Sequence, residues 1–175
     1  GWYRCSYSFE SSLIEVQIYP ADSTSSVSGT TGSILIQSAQ LETGLVATEY
    51  LNSTSVTAKA GVLIDLPRIN YDANGENGAL LLEPSRKQLL PQSEYFGAWQ
   101  VFRGSLTANF TTSPEGVVNA YRYEENADSG QHFVRYQGIS MTSGTDYTGS
   151  IFAKAGELTS ITLGSNALSL WNPST

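Results

Sequence analysis

Cysteine and histidine are almost absent from this sequence, which has one of each. The single cysteine, Cys5, cannot form an internal disulfide bond, and its place in the alternating run WYRCSYSF indicates a small buried hydrophobic residue. One histidine and one distant cysteine do not make a zinc site. At 175 residues the chain is long enough for one well-buried domain, or two small ones, without disulfide bonds.

Charge is also scarce. Charged residues make up 14% of the chain and the net charge is −7, whereas an average soluble domain is about 25% charged. Nucleic acids and anionic membranes select clustered Lys and Arg, so neither is expected as a partner and neutral polar ligands are favoured. No apolar run approaches the roughly 18 residues of a membrane span, and the N-terminus lacks a signal-peptide pattern. The chain begins without methionine, in a predicted strand, so we expect a segment of a longer polypeptide.

Catalytic and nucleotide-binding motifs are missing as well. The sequence has no G-x-S-x-G, H-E-x-x-H or G-x-x-x-x-G-K-[ST] pattern. Glycoside hydrolysis would need two carboxylates across the scissile bond. The spacing of the acidic residues singles out no such pair among Asp65, Asp72, Glu83, Glu94, Glu124, Glu125 and Asp128. We therefore expect a protein that is not an enzyme.

What the sequence has in abundance is short strand patterns. Tyr3, Cys5, Tyr7 and Phe9 alternate along one face of the first run, and LIEVQIYP alternates in the same way, so the two are expected to pair. Residues 21–33 contain almost nothing that could be buried and read as a loop. Short helical turns are expected only near 84–90, after Pro84, and near 114–120, where Pro114 follows a serine that could cap the first turn. The fold class is all-β, with jelly-roll-like β-sandwich elements.

Three parts follow from these patterns. The first β block covers about residues 1–55, a connector covers 56–92, and a second β block covers 93–175. The connector mixes a Gly/Asn turn, an apolar triplet and a charged cluster formed by Glu83, Arg86 and Lys87. These charges are expected to fix the geometry of a joint, with Arg86 pairing to Glu83 across one turn.

The connector carries a resemblance to a known family. The stretch LPRINYDANGENGALLLEPSRKQLLPQSEYFGAW, residues 66–99, resembles a segment of phage tail-fibre, tail-spike and related virion proteins. In that family the segment leads into a jelly-roll module similar to the carbohydrate-binding modules beside polysaccharide-degrading enzymes. Residues 106–157 resemble the first half of that module, and GWYRCSYSF with ILIQSAQLETGLVATEYLNST resembles its second half.

The resemblance implies an unusual order of parts, with the second half of a module before the connector and the first half after it. This chain then either spans the seam between two tandem modules or carries a permuted module whose halves pair with each other. The seam is favoured, because half a β module cannot cover its own apolar face and needs a neighbouring copy.

Candidate ligand-binding residues are chosen for sugar recognition, in which flat aromatic faces pack on the C–H face of a pyranose while polar groups bond its hydroxyls. Most of the ten tyrosines and three tryptophans should belong to the core. On an alternating strand His132 and Tyr136 share one face and could line a groove, although a surface histidine is the commoner outcome. The candidates are Trp2 beside Arg4, Tyr95, Trp99, His132, Arg135 and Tyr136, followed by Tyr121 and Tyr123.

No cofactor is expected, but modules of the resembling kind often carry a structural calcium ion away from the ligand. Glu42, Asp146 or nearby carbonyls could supply oxygen ligands, whereas the acidic loops YDANGENG and ENADSG lack the full spacing of a calcium loop. The second of these loops is better explained as a solvated turn.

The resemblance implies a non-catalytic structural and glycan-binding segment of a phage virion appendage, a tail fibre or spike that attaches to the host surface. Its partners would be glycans or host cell-surface polysaccharide and other virion subunits, in a homo-oligomer with a trimer favoured. It would lie in the virion, on the tail or capsid surface, or otherwise outside cells. The alternatives are a purely structural virion protein, such as a capsid decoration, head fibre or tail adaptor, and the ancillary carbohydrate-binding module of a secreted polysaccharide-degrading enzyme.

Overall fold

The computed structural model describes residues 1–10, 15–21, 31–60, 69–70, 74, 76, 78–80, 86–164 and 170–171. The strands are β1 Tyr3–Glu10, β2 Glu15–Ala21, β3 Ser33–Thr43, β4 Ala58–Ala60, β5 Ile69–Asn70, β6 Ala79–Leu80, β7 Arg86–Gln88, β8 Gln100–Phe102, β9 Gly104–Thr112, β10 Val118–Glu125, β11 Phe133–Gln137, β12 Asp146–Ala155, β13 Ser160–Gly164 and β14 Leu170–Trp171. A single turn of 3₁₀ helix covers Phe96–Ala98.

Two five-stranded antiparallel sheets pack face to face as a β-sandwich. Sheet A has the order β1-β12-β3-β10-β9, and sheet B has the order β14-β13-β2-β11-β8. Both sheets pair strands that are far apart in sequence: β3 pairs with β12 in sheet A, and β2 pairs with β13 in sheet B. Two small ribbons, β4 with β7 and β5 with β6, lie in the connector. The prediction of an all-β sandwich is confirmed.

Apolar side chains from both sheets fill the space between them. Alternation along β1 places Cys5 fully inside, with Tyr7 and Phe9 packed on the same core, as the period of two requires. Burial raises the pKa of the Cys5 thiol, so this thiol stays protonated and behaves as a small hydrophobic residue. The core includes Ile18, Ile36, Leu41, Tyr123, Val134, Ile151 and Ile161.

The two β blocks pair with one another. β1 and β3, from the first block, flank β12 from the second, and β3 also pairs with β10. The favoured arrangement, a seam between tandem modules, is therefore wrong for this chain, and the halves cover each other's apolar faces instead. The block boundaries at 55 and 92 stay predictions.

Three local predictions are wrong. β1 and β2 do not pair, because they are edge and central strands of opposite sheets. Residues 86–88 form β7 and β10 begins at Val118, so neither predicted helical turn forms in the part of the chain that is described. Ser33 is buried at the start of β3, which ends the predicted loop one residue early; residues 22–30 of that loop lie outside the described residues.

Candidate functional site

The C-terminal part of the connector joins the sandwich at a bulge in β3. Ser38 has a left-handed φ of 55°, and the pairing between β3 and β12 shifts register beside it. The bulge turns Ala39 away from β12, and its N–H donates to the carbonyl of Ser93 at 2.8 Å. Bulges commonly re-aim one residue of a strand in this way, and here the result is a docking place for the connector.

Gln88 anchors this joint with its side-chain amide. Its Oε1 accepts the N–H of Leu41 at 2.7 Å and that of Leu90 at 3.1 Å, and its Nε2 donates to the carbonyl of Ala39 at 2.9 Å. The side chain is buried, so each of these bonds replaces a bond to water that is no longer available. The joint is thus held by directed hydrogen bonds as well as by packing.

A second polar layer lies on the outer face of sheet A. The Glu42 carboxylate accepts hydrogen bonds from the N–H of Thr48 at 2.7 Å and from the Thr48 hydroxyl at 2.6 Å. It also accepts a hydrogen bond from Nε2 of Gln40 at 2.8 Å. Oε1 of Gln40 accepts the N–H of Leu51. These bonds hold the segment after β3 across the sheet and lead it towards the connector.

Between the joint and the loop that follows β11 lies an open groove of about 270 Å³. We call it the connector groove, and its lining comprises Thr57, Lys87, Leu89, Pro91, Tyr136, Gly138, Ile139 and Ser140. The volume is close to the lower end, about 300 Å³, of ordinary small-ligand sites. Apolar side chains, hydroxyls and one exposed ammonium group meet there. This is the composition that a polar ligand with apolar faces requires.

Tyr136 is the aromatic wall of the groove, and the core holds it from behind. Its ring meets that of Trp99 edge to face, with 5.6 Å between centroids. Trp99 is buried, packs on Phe96 at 4.9 Å, and donates Nε1 to the carbonyl of Gln92 at 3.4 Å. Of the predicted ligand residues, Tyr136 lines the groove and Trp99 supports it from inside.

Tyr95 lies apart from the groove. It is 56% exposed, and its ring meets Tyr121 edge to face at 6.5 Å. Burial raises the pKa of Tyr121, with further raising by Tyr95, and a hydrogen bond to Gly97 opposes the shift. Tyr123 is buried and its hydroxyl donates to the carbonyl of Phe102 at 2.9 Å. Tyr121 and Tyr123 therefore serve the core.

Arg4 lies at the N-terminal end of β1 and Trp2 directly precedes that strand, and neither residue lines the connector groove. The indole Nε1 of Trp2 donates to the carbonyl of Thr112 at 2.8 Å. Arg4 donates Nη2 to the hydroxyl of Ser150 at 2.9 Å and lies 5.7 Å from the ring centre of Phe152. Burial lowers the pKa of Arg4, and the charge of Glu42 opposes that shift.

His132 is fully buried, so the prediction that it lines a groove with Tyr136 is wrong, as is the expectation of a surface histidine. Its Nδ1 lies 3.9 Å from Oε1 of Glu125, and neither ring nitrogen has a hydrogen-bond partner in the described structure. The alternation with Val134 and Tyr136 was correct, but that face points into the sandwich.

Arg135 points to the opposite face of the same strand. Its Nε donates to Oε1 of Gln100 at 2.9 Å, and its guanidinium carbon lies 5.5 Å from the ring centre of Phe133. It thus belongs to the outer face of sheet B and not to the connector groove.

Of the calcium ligands considered from sequence, Glu42 has its carboxylate engaged by other groups. The Glu42 carboxylate accepts the bonds described above, and the backbone carbonyl of Asp146 accepts the N–H of Gly44 at 2.8 Å. No group of three or more His, Cys, Asp or Glu side chains able to hold a metal occurs among the residues searched, which are those described.

Sequence reasoning missed most of the groove. Lys87 was assigned to the joint, whereas its exposed side chain lines the groove; the predicted pair of Arg86 with Glu83 involves side chains outside the described residues. Ile139 and Ser140 gave no signal, because a loop between two strands is not placed by its own pattern.

Comparison of the chain with protein-family models, with curated proteins and with solved structures found no match. The resemblance to virion proteins therefore stays a prediction. The described residues contain no helix that is long and apolar enough to cross a membrane.

Proposed function

We propose that this chain is a non-catalytic segment of a phage virion appendage, a tail fibre or spike, that binds glycans of the host surface in the connector groove. The observation that carries glycan binding is the groove of about 270 Å³ with Tyr136 on its wall. The virion context rests on the resemblance of residues 66–99.

The groove supplies the two kinds of contact that a sugar needs. The Tyr136 ring offers an apolar surface to the C–H groups of a pyranose, and Trp99 behind it limits the orientations of that ring. Lys87 can donate to ring hydroxyls from one side, and Thr57 and Ser140 can donate or accept nearby. A groove of this size takes one sugar unit or a chain end, so a single site binds weakly. Repetition in an oligomer would raise the overall affinity through a high effective concentration.

A glycan array probed with the oligomeric parent protein tests this proposal, followed by titration of a bound glycan by intrinsic fluorescence. Tyr136→Ala should weaken binding by about tenfold, since the loss of one aromatic contact is worth roughly 1 kcal/mol. Tyr136→Phe should keep most of the affinity because the ring remains. Tyr95→Ala is the matched control, since it removes an exposed tyrosine outside the groove.

Two results would contradict glycan binding in the groove. One is an array without any bound glycan, which leaves the purely structural virion protein as the better explanation. The other is equal weakening by Tyr136→Ala and Tyr95→Ala.

A further inference from the structure

The outer face of sheet B carries a row of aromatic rings flanked by arginines. Phe102 on β8 and Phe133 on β11 are directly paired, and their rings stack with 4.9 Å between centroids and 15° between planes. Arg103 lies over Phe102 at 4.6 Å, and Arg135 lies over Phe133 at 5.5 Å. We call these four residues and Gln100 the aromatic strip.

We propose that the aromatic strip binds the carboxylate of an acidic saccharide, such as a uronate or a sialate. This site is separate from the connector groove, because Phe133 and Arg135 lie on the face of β11 opposite to that of Val134 and Tyr136. Phe133 is itself only 7% exposed, so it supports its exposed partner ring and offers little surface to a ligand. The proposal therefore stands or falls independently of glycan binding at Tyr136.

The strongest reason to expect a carboxylate on the ligand is the guanidinium of Arg103. A guanidinium held against an aromatic ring loses part of its rotational freedom, and its fork of N–H donors matches the two oxygens of a carboxylate. Within the described parts of the chain the Arg103 guanidinium has no carboxylate partner, and its Nη1 donates to the carbonyl of Gln131 at 3.2 Å. The acid of the neighbouring loop, Asp128, accepts Nδ2 of Asn126 instead.

The backbone of Arg103 gives independent support. Its φ is 51°, in the left-handed region, where a non-glycine residue is uncommon. The following loop comes close to the guanidinium, because a Cβ added at Gly130 would lie 3.0 Å from Nη1 of Arg103. Backbone strain of this kind persists where the surroundings hold it and is frequent at ligand sites. Here the turn between β8 and β9 holds the Arg103 side chain over the strip.

The rest of the strip points to a saccharide as the carrier of the carboxylate. Phe102 is 43% exposed at the sheet edge, so the part of its ring that Phe133 and Arg103 leave open offers apolar surface to the C–H groups of a sugar. Gln100 is exposed and held by Arg135, and its amide can bond sugar hydroxyls. The overall charge of −7 works against anion binding at long range, but salt screens that term beyond roughly 8 Å, and the guanidinium group of Arg103 dominates at contact.

The test uses the full chain and four probes in calorimetric titrations: trigalacturonate, the same oligomer after carboxyl reduction, sialyllactose, and hexaglutamate as an acidic peptide. We expect binding of trigalacturonate or sialyllactose, and a comparison of these two titrations identifies which acidic sugar the strip binds. Carboxyl reduction should weaken binding by about tenfold or more, the loss expected for one charge-assisted hydrogen bond pair.

Arg103→Asn is the main variant, since Asn tolerates a positive φ and the fold is kept. It should lose about tenfold or more in affinity for the acidic sugar, and Arg103→Lys should lose less because it keeps the charge. Arg122→Asn is the matched control. Arg122 also lies over a phenyl ring, that of Phe110 at 5.1 Å, but it is ion-paired with Glu124 at 2.8 Å.

Several results would overturn the proposal. They are the absence of binding to both acidic sugars, equal binding of the carboxyl-reduced oligomer, equal binding of hexaglutamate, and an equal loss in Arg103→Asn and Arg122→Asn. Thermal unfolding of each variant shows whether a loss of binding reflects a loss of fold.

Discussion

At the scale of single residues, two acids outside the core, the half-buried Glu94 and the exposed Glu157, respond to their surroundings in opposite ways. Burial raises the pKa of Glu94, the nearby charge of Glu115 adds to the shift, and hydrogen bonds from Tyr50 and Asn52 oppose it. The pKa of Glu157 is lowered, chiefly because the hydroxyl of Ser33 donates to its carboxylate. One acid therefore favours the proton in the folded state and the other disfavours it.

These shifts predict opposite pH dependences for two Gln variants. The Glu94 carboxyl keeps its proton to a higher pH in the folded chain than in the unfolded chain. Its contribution to the free energy of unfolding therefore grows as pH falls through the raised pKa. Glu94→Gln should be more stable than the parent chain at pH 7, and this advantage should shrink as pH falls through the raised pKa.

Glu157→Gln is the control of opposite sign. The ionised Glu157 stabilises the fold above its unfolded pKa, and this is lost as pH falls through the lowered folded pKa. Glu157→Gln should therefore be less stable at pH 7, with a deficit that disappears in acid. Urea unfolding over a pH series measures both differences. If Glu94→Gln is less stable than the parent chain by the same amount at every pH, the raised pKa of Glu94 is contradicted.

The aromatic residues show what could be predicted residue by residue. Composition and alternation identified Tyr136 and the shared face of the residues around it, because a strand's period is fixed locally. They could not separate Trp99, which is buried, from Tyr95, which is exposed. Both follow the connector, and which of them faces inward depends on a docking against β3 that leaves no pattern in their own segment.

At the scale of elements, the joint shapes the site as much as the strands do, since it places Lys87, Leu89 and Pro91 in the groove. Gln88 makes the bonds that fix it. Gln88→Ala would leave two backbone N–H groups and one carbonyl without their partner in a buried place, where each unsatisfied group costs about 1 kcal/mol or more.

We therefore expect Gln88→Ala to lower the free energy of unfolding by about 3 kcal/mol. Urea unfolding followed by fluorescence measures this value. Gln131→Ala is the control and should change stability by less than about 0.5 kcal/mol, as is usual at the surface, since its side chain is exposed. A similar small effect of both variants would show that packing alone fixes the joint.

Strand identity was predictable and strand partnership was not. β1, β2 and β11 each lie where a run of alternating residues predicted a strand. The expected pairing of β1 with β2 assumed that neighbours in sequence are neighbours in a sheet, which holds for many but not all connections. In this sandwich β1 pairs with β12, and nothing within either strand marks the other as its partner.

At the scale of the whole molecule, the two blocks are mutually dependent. Sheet A takes β1 and β3 from residues before 55 and β9, β10 and β12 from residues after it. Sheet B takes β2 from the first block, between β13 and β11 of the second. Without the first block, each sheet would lose a strand from its middle, and the buried backbone groups of that strand's neighbours would have no partners.

A chain divided between Ser55 and Val56, both exposed, tests this dependence. We expect fragments 1–55 and 56–175 to lack near-ultraviolet circular dichroism when separate, because neither holds a complete sheet. Mixed in equal amounts they should restore that signal and a cooperative thermal transition, since cutting an exposed loop leaves every strand pair able to form. A division between Gly149 and Ser150, inside β12, is the matched control and should not reassemble. A cooperative transition in fragment 56–175 alone would show that the second block folds independently, and the interleaved pairing would then be an addition to a finished domain.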